Sequence, residues 1–97
     1  MPLKIKRLPL ARRDLFDIWD YIAPNSQRGA TRIIEDLYAA FSMLADQPMA
    51  GRDRPELGIA QLSCRQLFDL LSVRFRHVSI VRILHTARDI TPDLLSE

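Results

Sequence analysis

Three residues suited to chemistry fall close together near the C-terminus: Arg82, His85 and Arg88, within Val78-Ser79-Ile80-Val81-Arg82-Ile83-Leu84-His85-Thr86-Ala87-Arg88-Asp89-Ile90. Histidine is the side chain that moves protons near neutral pH. With two guanidinium groups it forms a minimal acid-plus-cation cluster, able to steady the charge that develops on a phosphodiester during cleavage. The same groups can also grip a carboxylate or phosphate without reaction, because guanidinium pairs with both in a planar, bidentate way. Structural readings compete at each position. His85 can simply hydrogen-bond Asp89 or a backbone carbonyl. Arg88 and Asp89 can pair locally and fix a turn, a contact worth little when exposed. Arg82 is the hardest to dismiss, since it interrupts an apolar run. Burying it without a partner costs several kcal/mol, on the order of 2–7 for a polar group alone. It therefore requires an acid, an open sheet face or a ligand.

Further arginines extend the candidate surface. Residues 50–90 carry seven (52, 54, 65, 74, 76, 82 and 88) against four acids, Asp53, Glu56, Asp69 and Asp89. Residues 14–49 reverse the balance, with Arg28 and Arg32 against six acids including Asp14, Asp17 and Asp20. Residues 1–13 hold five basic groups and no acid. An arginine-rich half fits an acidic protein partner or a nucleic acid, and equally a solvated surface. Arg52, Arg65, Arg74, Arg82, His85 and Arg88 are the expected partner-binding residues. A nuclease would need a second acid or base beside His85, Arg82 and Arg88. The only lysines, Lys4 and Lys6, fall on a strand, and the only tyrosines, Tyr21 and Tyr38, on helices. Cys64 reads as structural or as a catalytic thiol, and as a lone cysteine it forms no internal disulfide. Two histidines and one cysteine at unrelated spacings make no metal site, and no cofactor is expected.

The elements that must position these residues follow from hydrophobic period. Val78–His85 is apolar on both faces, the mark of a strand buried inside a sheet. Leu3–Leu8 begins with strand-like alternation and stops at Pro9. Ala11, Leu15, Ile18, Trp19 and Ile22 recur at spacings of three and four, which predicts an amphipathic helix to about Ala23. Trp19 is expected to wedge between helix and sheet. Pro24-Asn25-Ser26 ends that helix, and Asn25 or Ser26 caps the next. Ala30, Ile33, Ile34, Leu37, Phe41, Leu44 and Ala45 predict a second helix to about Asp46. Arg52–Gly58 reads as a charged loop. Strands follow at about Ile59–Arg65, Leu67–Phe75 and Val78–His85, with a turn at Arg76-His77. Thr91–Glu97 reads as a short, polar, mobile tail. The fold class is α+β, in the order β-α-α-β-β-β, with a helical hairpin on one face of a small, mostly antiparallel sheet. The other face is left to solvent or a partner.

With 97 residues, 47% of them hydrophobic and 27% charged, the chain is expected to form a single domain over 1–97. It has no run of about 18 apolar residues and no signal-peptide core at its basic N-terminus. A cytoplasmic location and no membrane association are expected.

Three segments resemble one family. They are Ala11-Arg12-Arg13-Asp14-Leu15-Phe16-Asp17-Ile18-Trp19-Asp20-Tyr21-Ile22, Leu44-Ala45-Asp46-Gln47-Pro48-Met49-Ala50-Gly51-Arg52, and Ile80-Val81-Arg82-Ile83-Leu84-His85-Thr86-Ala87-Arg88-Asp89. In this order they are similar to the ParE toxins of the ParE/RelE superfamily, the toxin half of bacterial type II toxin–antitoxin pairs. Two departures stand out. Leu8 occupies the position before the first helix where members carry Ser or Thr, and Leu70-Leu71-Ser72-Val73-Arg74 keeps only the arginine of the usual aromatic-rich run. The resemblance implies inhibition of DNA gyrase by protein binding, with replication stalled, and neutralisation by a ParD-like antitoxin. Operator DNA would be reached only through that antitoxin. Two alternatives accompany it: a RelE-type ribosome-dependent mRNA endonuclease, and an inactive relative acting only in the antitoxin–operator complex.

Overall fold

The computed structural model describes residues 3–95. Its first strand, β1 (Ile5–Arg7), is cut short by Pro9, which opens helix α1 (Pro9–Ile22). Proline suits that first turn because its missing N–H would have no intrahelical partner. Leu8 at the cap position offers no side-chain acceptor, as its residue type dictates. Its N–H instead donates to the Ile80 carbonyl (3.0 Å), tying the helix start to the sheet. Helix α2 (Gln27–Asp46) begins with a side-chain cap: the Gly29 N–H donates to Ser26 Oγ at 2.9 Å. The inner stripe of α1 is Ala11, Asp14, Leu15 and Ile18; that of α2 is Ala30, Ile33, Leu37, Phe41, Leu44 and Ala45. Both follow the helical period, so both helices bury one face.

Strands β2 (Arg52–Arg54), β3 (Ile59–Cys64), β4 (Phe68–Arg74) and β5 (Val78–His85) complete a five-stranded sheet of order β1-β5-β4-β3-β2. β1 runs parallel to β5, and the other pairs are antiparallel. β2 lies where a charged loop was expected. Arg-Asp-Arg has no apolar period to reveal it; backbone pairing of Arg52–Arg54 with Gln61–Ile59 holds it. A short, charged edge strand is also what discourages unwanted edge pairing.

Turn chemistry moved the boundaries. Arg65 and Gln66 take positive φ (58° and 57°) at the centre of a turn closed by the Leu67 N–H on the Cys64 carbonyl (3.1 Å), with residues 65–67 between the paired Cys64 and Phe68. Such turns favour Asn-Gly, so Arg65-Gln66 gave no turn signal. The β4–β5 connection is longer than expected, with Arg74 opposite Val78 and residues 75–77 between.

β5 is buried on both faces. Val78, Ile80 and Ile83 pack under the helices with Leu15, Leu37, Phe41 and Leu70. On the far face, Leu84 joins Leu71 and Ile59 beneath Leu57, Ile90, Leu94 and Leu95. Leu94 and Leu95 belong to a 3-10 turn, Pro92–Leu95. The segment expected to be a mobile tail thus folds back as a cover, and the far face is not simply open. Ser96 and Glu97, the end of that segment, lie outside the described residues. Its apolar pair at Leu94-Leu95 is what the polar reading undervalued. A register shift places Arg82 opposite Leu71 and Ile80 opposite Ser72, leaving Val81 as the extra residue. This bulge explains how Ile80 and Val81, adjacent in sequence, are both buried.

Candidate functional site

β1 pairs with β5 only as far as Ile80. Beyond it, no strand among the described residues lies beside the edge of β5, and α1 crosses there. Asp14 faces this edge and does the work of the missing strand: its Oδ2 accepts the Ile83 N–H at 2.9 Å. The same carboxylate accepts Arg82 Nε–H (2.8 Å, Oδ2) and Nη2–H (2.9 Å, Oδ1). Arg82 Nη1–H donates to the Leu94 carbonyl at 2.8 Å. The guanidinium therefore ties the helix layer to the folded-back C-terminal turn, around the sheet edge. Side-chain exposure is 14% for Arg82 and 9% for Asp14. The hydrogen bonds to Asp14 raise the pKa of Arg82 further, against the opposing effect of burial.

Of the three answers open to Arg82, the structure takes the first, an internal acid. Arg82, named above as a partner-binding residue, is thus committed to an acid of its own chain and does not stand on an open sheet face. Arg74 is likewise occupied, donating to the Asp53 carboxylate and the Pro48 carbonyl. Arg65 pairs with Asp36 at 3.1 Å and stays half exposed. Arg52 lies exposed on edge strand β2. The candidates therefore separate: Arg82, His85 and Arg88 line one cleft, Arg74 is held against the Pro48–Asp53 segment beside Arg52, and Arg65 sits at the β3–β4 turn.

The cleft has a volume of about 470 Å³ and includes Asp14, Asp17, Tyr21, Phe68, Arg82, His85 and Arg88 in its lining. His85, exposed at the end of β5, stands edge-on to Phe68 with ring centroids 5.9 Å apart. Its Nδ1 accepts the Ala87 N–H at 3.1 Å, so its partner is a backbone donor and not Asp89 or a carbonyl. The ring proton is then carried on Nε2. The Arg88 N–H donates to the His85 carbonyl (2.9 Å) and closes the turn. Arg88 and Asp89 form no ion pair among the described residues. Instead the Thr91 hydroxyl, then the Asp93 backbone and, to a lesser degree, Arg88 hold the Asp93 carboxyl below its usual range.

Sequence reasoning missed Asp14, Asp17 and Tyr21 as parts of this site. The signal was present. Asp14 falls inside the apolar stripe of α1, between Ala11 and Ile18, just as Arg82 falls inside an apolar strand. Two opposite charges interrupting two buried elements call for each other. Asp17 and Tyr21 follow three and seven positions later, on the neighbouring helix face.

Chemically, the cleft holds one cation already neutralised by Asp14, a second, exposed cation in Arg88, a second carboxylate in Asp17, an imidazole and a phenol. That set recognises polar and acidic groups of a partner. Two acids, Asp14 and Asp17, balance the two arginines of the lining, Arg82 and Arg88, so the cleft offers little net positive charge to a nucleic-acid backbone. Cys64 is buried, and burial, with Asp36, pushes its thiol above the ordinary value. Its Sγ lies 3.8 Å from the Asp36 carbonyl, and these are the surroundings of an inert thiol. No metal-binding group of His, Cys, Asp and Glu occurs among the described residues, and no described helix is long and apolar enough to cross a membrane. Trp19 is half-buried on the outward side of α1, beside Phe16, Ile34 and Tyr38, and not wedged against the sheet. Leu15 and Ile18 fill that space.

The family model for the ParE toxin of type II toxin–antitoxin systems, parDE, matches residues 5–90. Among solved structures, the chain is similar to one in the chromosomal ParDE system from P. aeruginosa, with a TM-score of 0.72 and 23% identity over 86% of this chain and 95% of that one. It is also similar to one in the toxin–antitoxin complex RelBE2 from Mycobacterium tuberculosis, with a TM-score of 0.61 and 24% identity over 88% of this chain and 99% of that one. No curated protein matches by sequence.

Proposed function

Because the chain belongs to the ParE toxin family of type II toxin–antitoxin systems, we propose that it arrests growth by binding DNA gyrase and that a ParD-like antitoxin neutralises it. On this reading residues 1–97 are one toxin domain that works in the cytoplasm as a protein ligand. It reaches operator DNA only through the antitoxin. The observation that carries the non-catalytic reading is the bidentate closure of Asp14 on Arg82. It removes one of the two cations that a His85-centred nuclease would need. Arg88, the His85 Nε2–H and the Tyr21 hydroxyl remain as contacts for a partner at the cleft, with Arg52 and Arg65 as separate exposed contacts.

The decisive experiment measures supercoiling by purified gyrase with and without the protein, in parallel with mRNA integrity in a translation extract. Loss of supercoiling with intact mRNA supports the proposal. Cleaved mRNA with normal supercoiling overturns it in favour of a ribosome-dependent endonuclease. No growth arrest on expression without antitoxin overturns it in favour of an inactive relative confined to the antitoxin–operator complex.

A further inference from the structure

Asp69 is a buried acid that the cleft does not use. It lies on β4 between Phe68 and Leu70, which pack under the helices, so its side chain points to the far face of the sheet. Leu84 of β5 stands beside it there, and Ser63 of β3 stands on its other side. Leu71, two residues on, shares that face and belongs with Leu84 to its apolar cluster. Asp69 is only 7% exposed. Yet its carboxylate accepts no hydrogen bond and joins no ion pair among the described residues.

Two cations that register places on the same face are engaged elsewhere. Arg82, opposite Leu71, holds Asp14 and the Leu94 carbonyl. Arg54, opposite Ile59, holds Glu56 and Gln61. Burying a charge without a partner is unfavourable, and an apolar side chain beside Leu71 and Leu84 would spare that cost. The carboxylate is not sealed in. No fully enclosed side-chain nitrogen or oxygen lacks a partner among the described residues, so the Asp69 oxygens stand at the mouth of a recess, beside the exposed Ser63. They face outward for a donor that this chain does not supply.

We propose that Asp69 receives a lysine or arginine side chain of the antitoxin, and that this contact selects the cognate antitoxin. The inference rests on the antitoxin reading above. Charge sets the class of occupant, since a carboxylate attracts a cation and repels nucleic-acid phosphate. No group of His, Cys, Asp and Glu surrounds it to hold a metal ion. The recess also adjoins the cleft. Phe68 and His85 pair with each other one step nearer the end of the sheet than Asp69 and Leu84, and both line the cleft. One segment passing the β3–β4 turn therefore reaches both places. A cationic side chain brought to the recess makes a charge-assisted hydrogen bond, whereas a neutral or acidic one leaves the carboxylate unpaired, and that difference discriminates between partners.

The test is calorimetric titration of the full chain with its antitoxin, using Asp69→Asn, which keeps the shape and removes the charge. Its affinity is expected to fall about thirtyfold, as when one member of a buried charge pair is removed. The urea midpoint of the free chain is expected to rise for Asp69→Asn and further for Asp69→Val, because no lone charge is then buried. A merely structural residue would not give weaker binding with higher stability. Among Lys→Ala and Arg→Ala variants of the antitoxin, one is expected to bind the wild type weakly and to lose nothing more against Asp69→Asn. Full affinity of Asp69→Asn overturns the proposal, and if its inhibition of gyrase is lost at the same time, the recess belongs to the target instead. A lower midpoint for both variants, or a loss of affinity coupled to no antitoxin cation, also overturns it. A wild-type chain that binds no antitoxin overturns the antitoxin reading itself, a failure distinct from these.

Discussion

Arg82 and Asp14, 68 positions apart, meet through two parallel N–H···O bonds of 2.8 and 2.9 Å at the edge of β5 where β1 has ended. The pair joins three layers. Asp14 brings α1; Arg82 brings the central strand; the Leu94 carbonyl, on the guanidinium's remaining face, brings the C-terminal turn. Asp14 also satisfies the Ile83 N–H, which faces away from β4. An unpaired buried amide there would cost about 1–3 kcal/mol.

Stability, then, is the first property this pair controls. Removing one member of a buried pair strands the other, at about 3–5 kcal/mol. Asp14→Ala is expected to cost about 3 kcal/mol, since it orphans both Arg82 and the Ile83 amide. Asp14→Asn, which keeps an acceptor for Ile83, is expected to cost less. The double variant D14A/R82A is expected to lose less than the sum of the singles, because neither charge is left alone. Urea unfolding of the four proteins checks this. Strict additivity would mean that the two groups do not act as a pair.

How much of this was legible beforehand depends on where the information sits. Helix periods, the buried strand at Val78–His85 and the demand that Arg82 find a partner all follow from one residue and its near neighbours. The identity of that partner does not, since Asp14 and Arg82 meet only through the tertiary fold. β2 escaped notice because backbone pairing needs no side-chain pattern. The cover formed by Leu94 and Leu95 escaped because two apolar residues in a polar tail give no period. Trp19 was misplaced because its helical spacing fits either flank of the α1 stripe, and the smaller Leu15 and Ile18 occupy the inner one. The chemistry-bearing residues were therefore found as types, while their grouping into one cleft required the coordinates.

The β3–β4 turn offers a gain. Arg65 and Gln66 both hold positive φ, a region costing an ordinary L-residue about 1 kcal/mol or more. Gln66→Gly is expected to stabilise the protein by about 0.5–1 kcal/mol, because glycine takes that conformation without strain. Arg65→Asn relieves strain too but gives up the half-exposed pair with Asp36, so a smaller gain is expected from it. Thermal midpoints distinguish the two. A loss on Gln66→Gly would show that the turn carries no such strain.

Cys64 predicts a pH dependence. Burial first, then Asp36, raises its thiol above the ordinary value of 9.0. In the unfolded chain the thiol loses its proton near that value, while in the folded chain it still holds it. The unfolded state therefore binds fewer protons as pH rises, and stability falls. The contribution is complete below about pH 9 and is lost as pH climbs through the raised folded value. Urea midpoints at pH 8 and pH 10 should differ more for the wild type than for Cys64→Ala. An equal decline in both would place the effect elsewhere. The native thiol should also react slowly with a maleimide at pH 8 and rapidly once unfolded.

Arg88 separates docking from folding at the cleft. It is exposed and makes no side-chain ion pair among the described residues, so Arg88→Ala should change stability by no more than about 0.5 kcal/mol. If the cleft meets an acidic segment of the antitoxin, the same change should weaken antitoxin binding by about tenfold, the size of one charge-assisted contact. Arg82→Ala should behave in the opposite way, lowering stability strongly and weakening binding only as far as the native population falls. Calorimetric titration of both variants with antitoxin, at a temperature where each is folded, tests this division. Unchanged affinity for Arg88→Ala, with a direct loss for folded Arg82→Ala, would mean that the guanidinium held by Asp14 is the one the partner reaches. The internal pair would then have to open on binding.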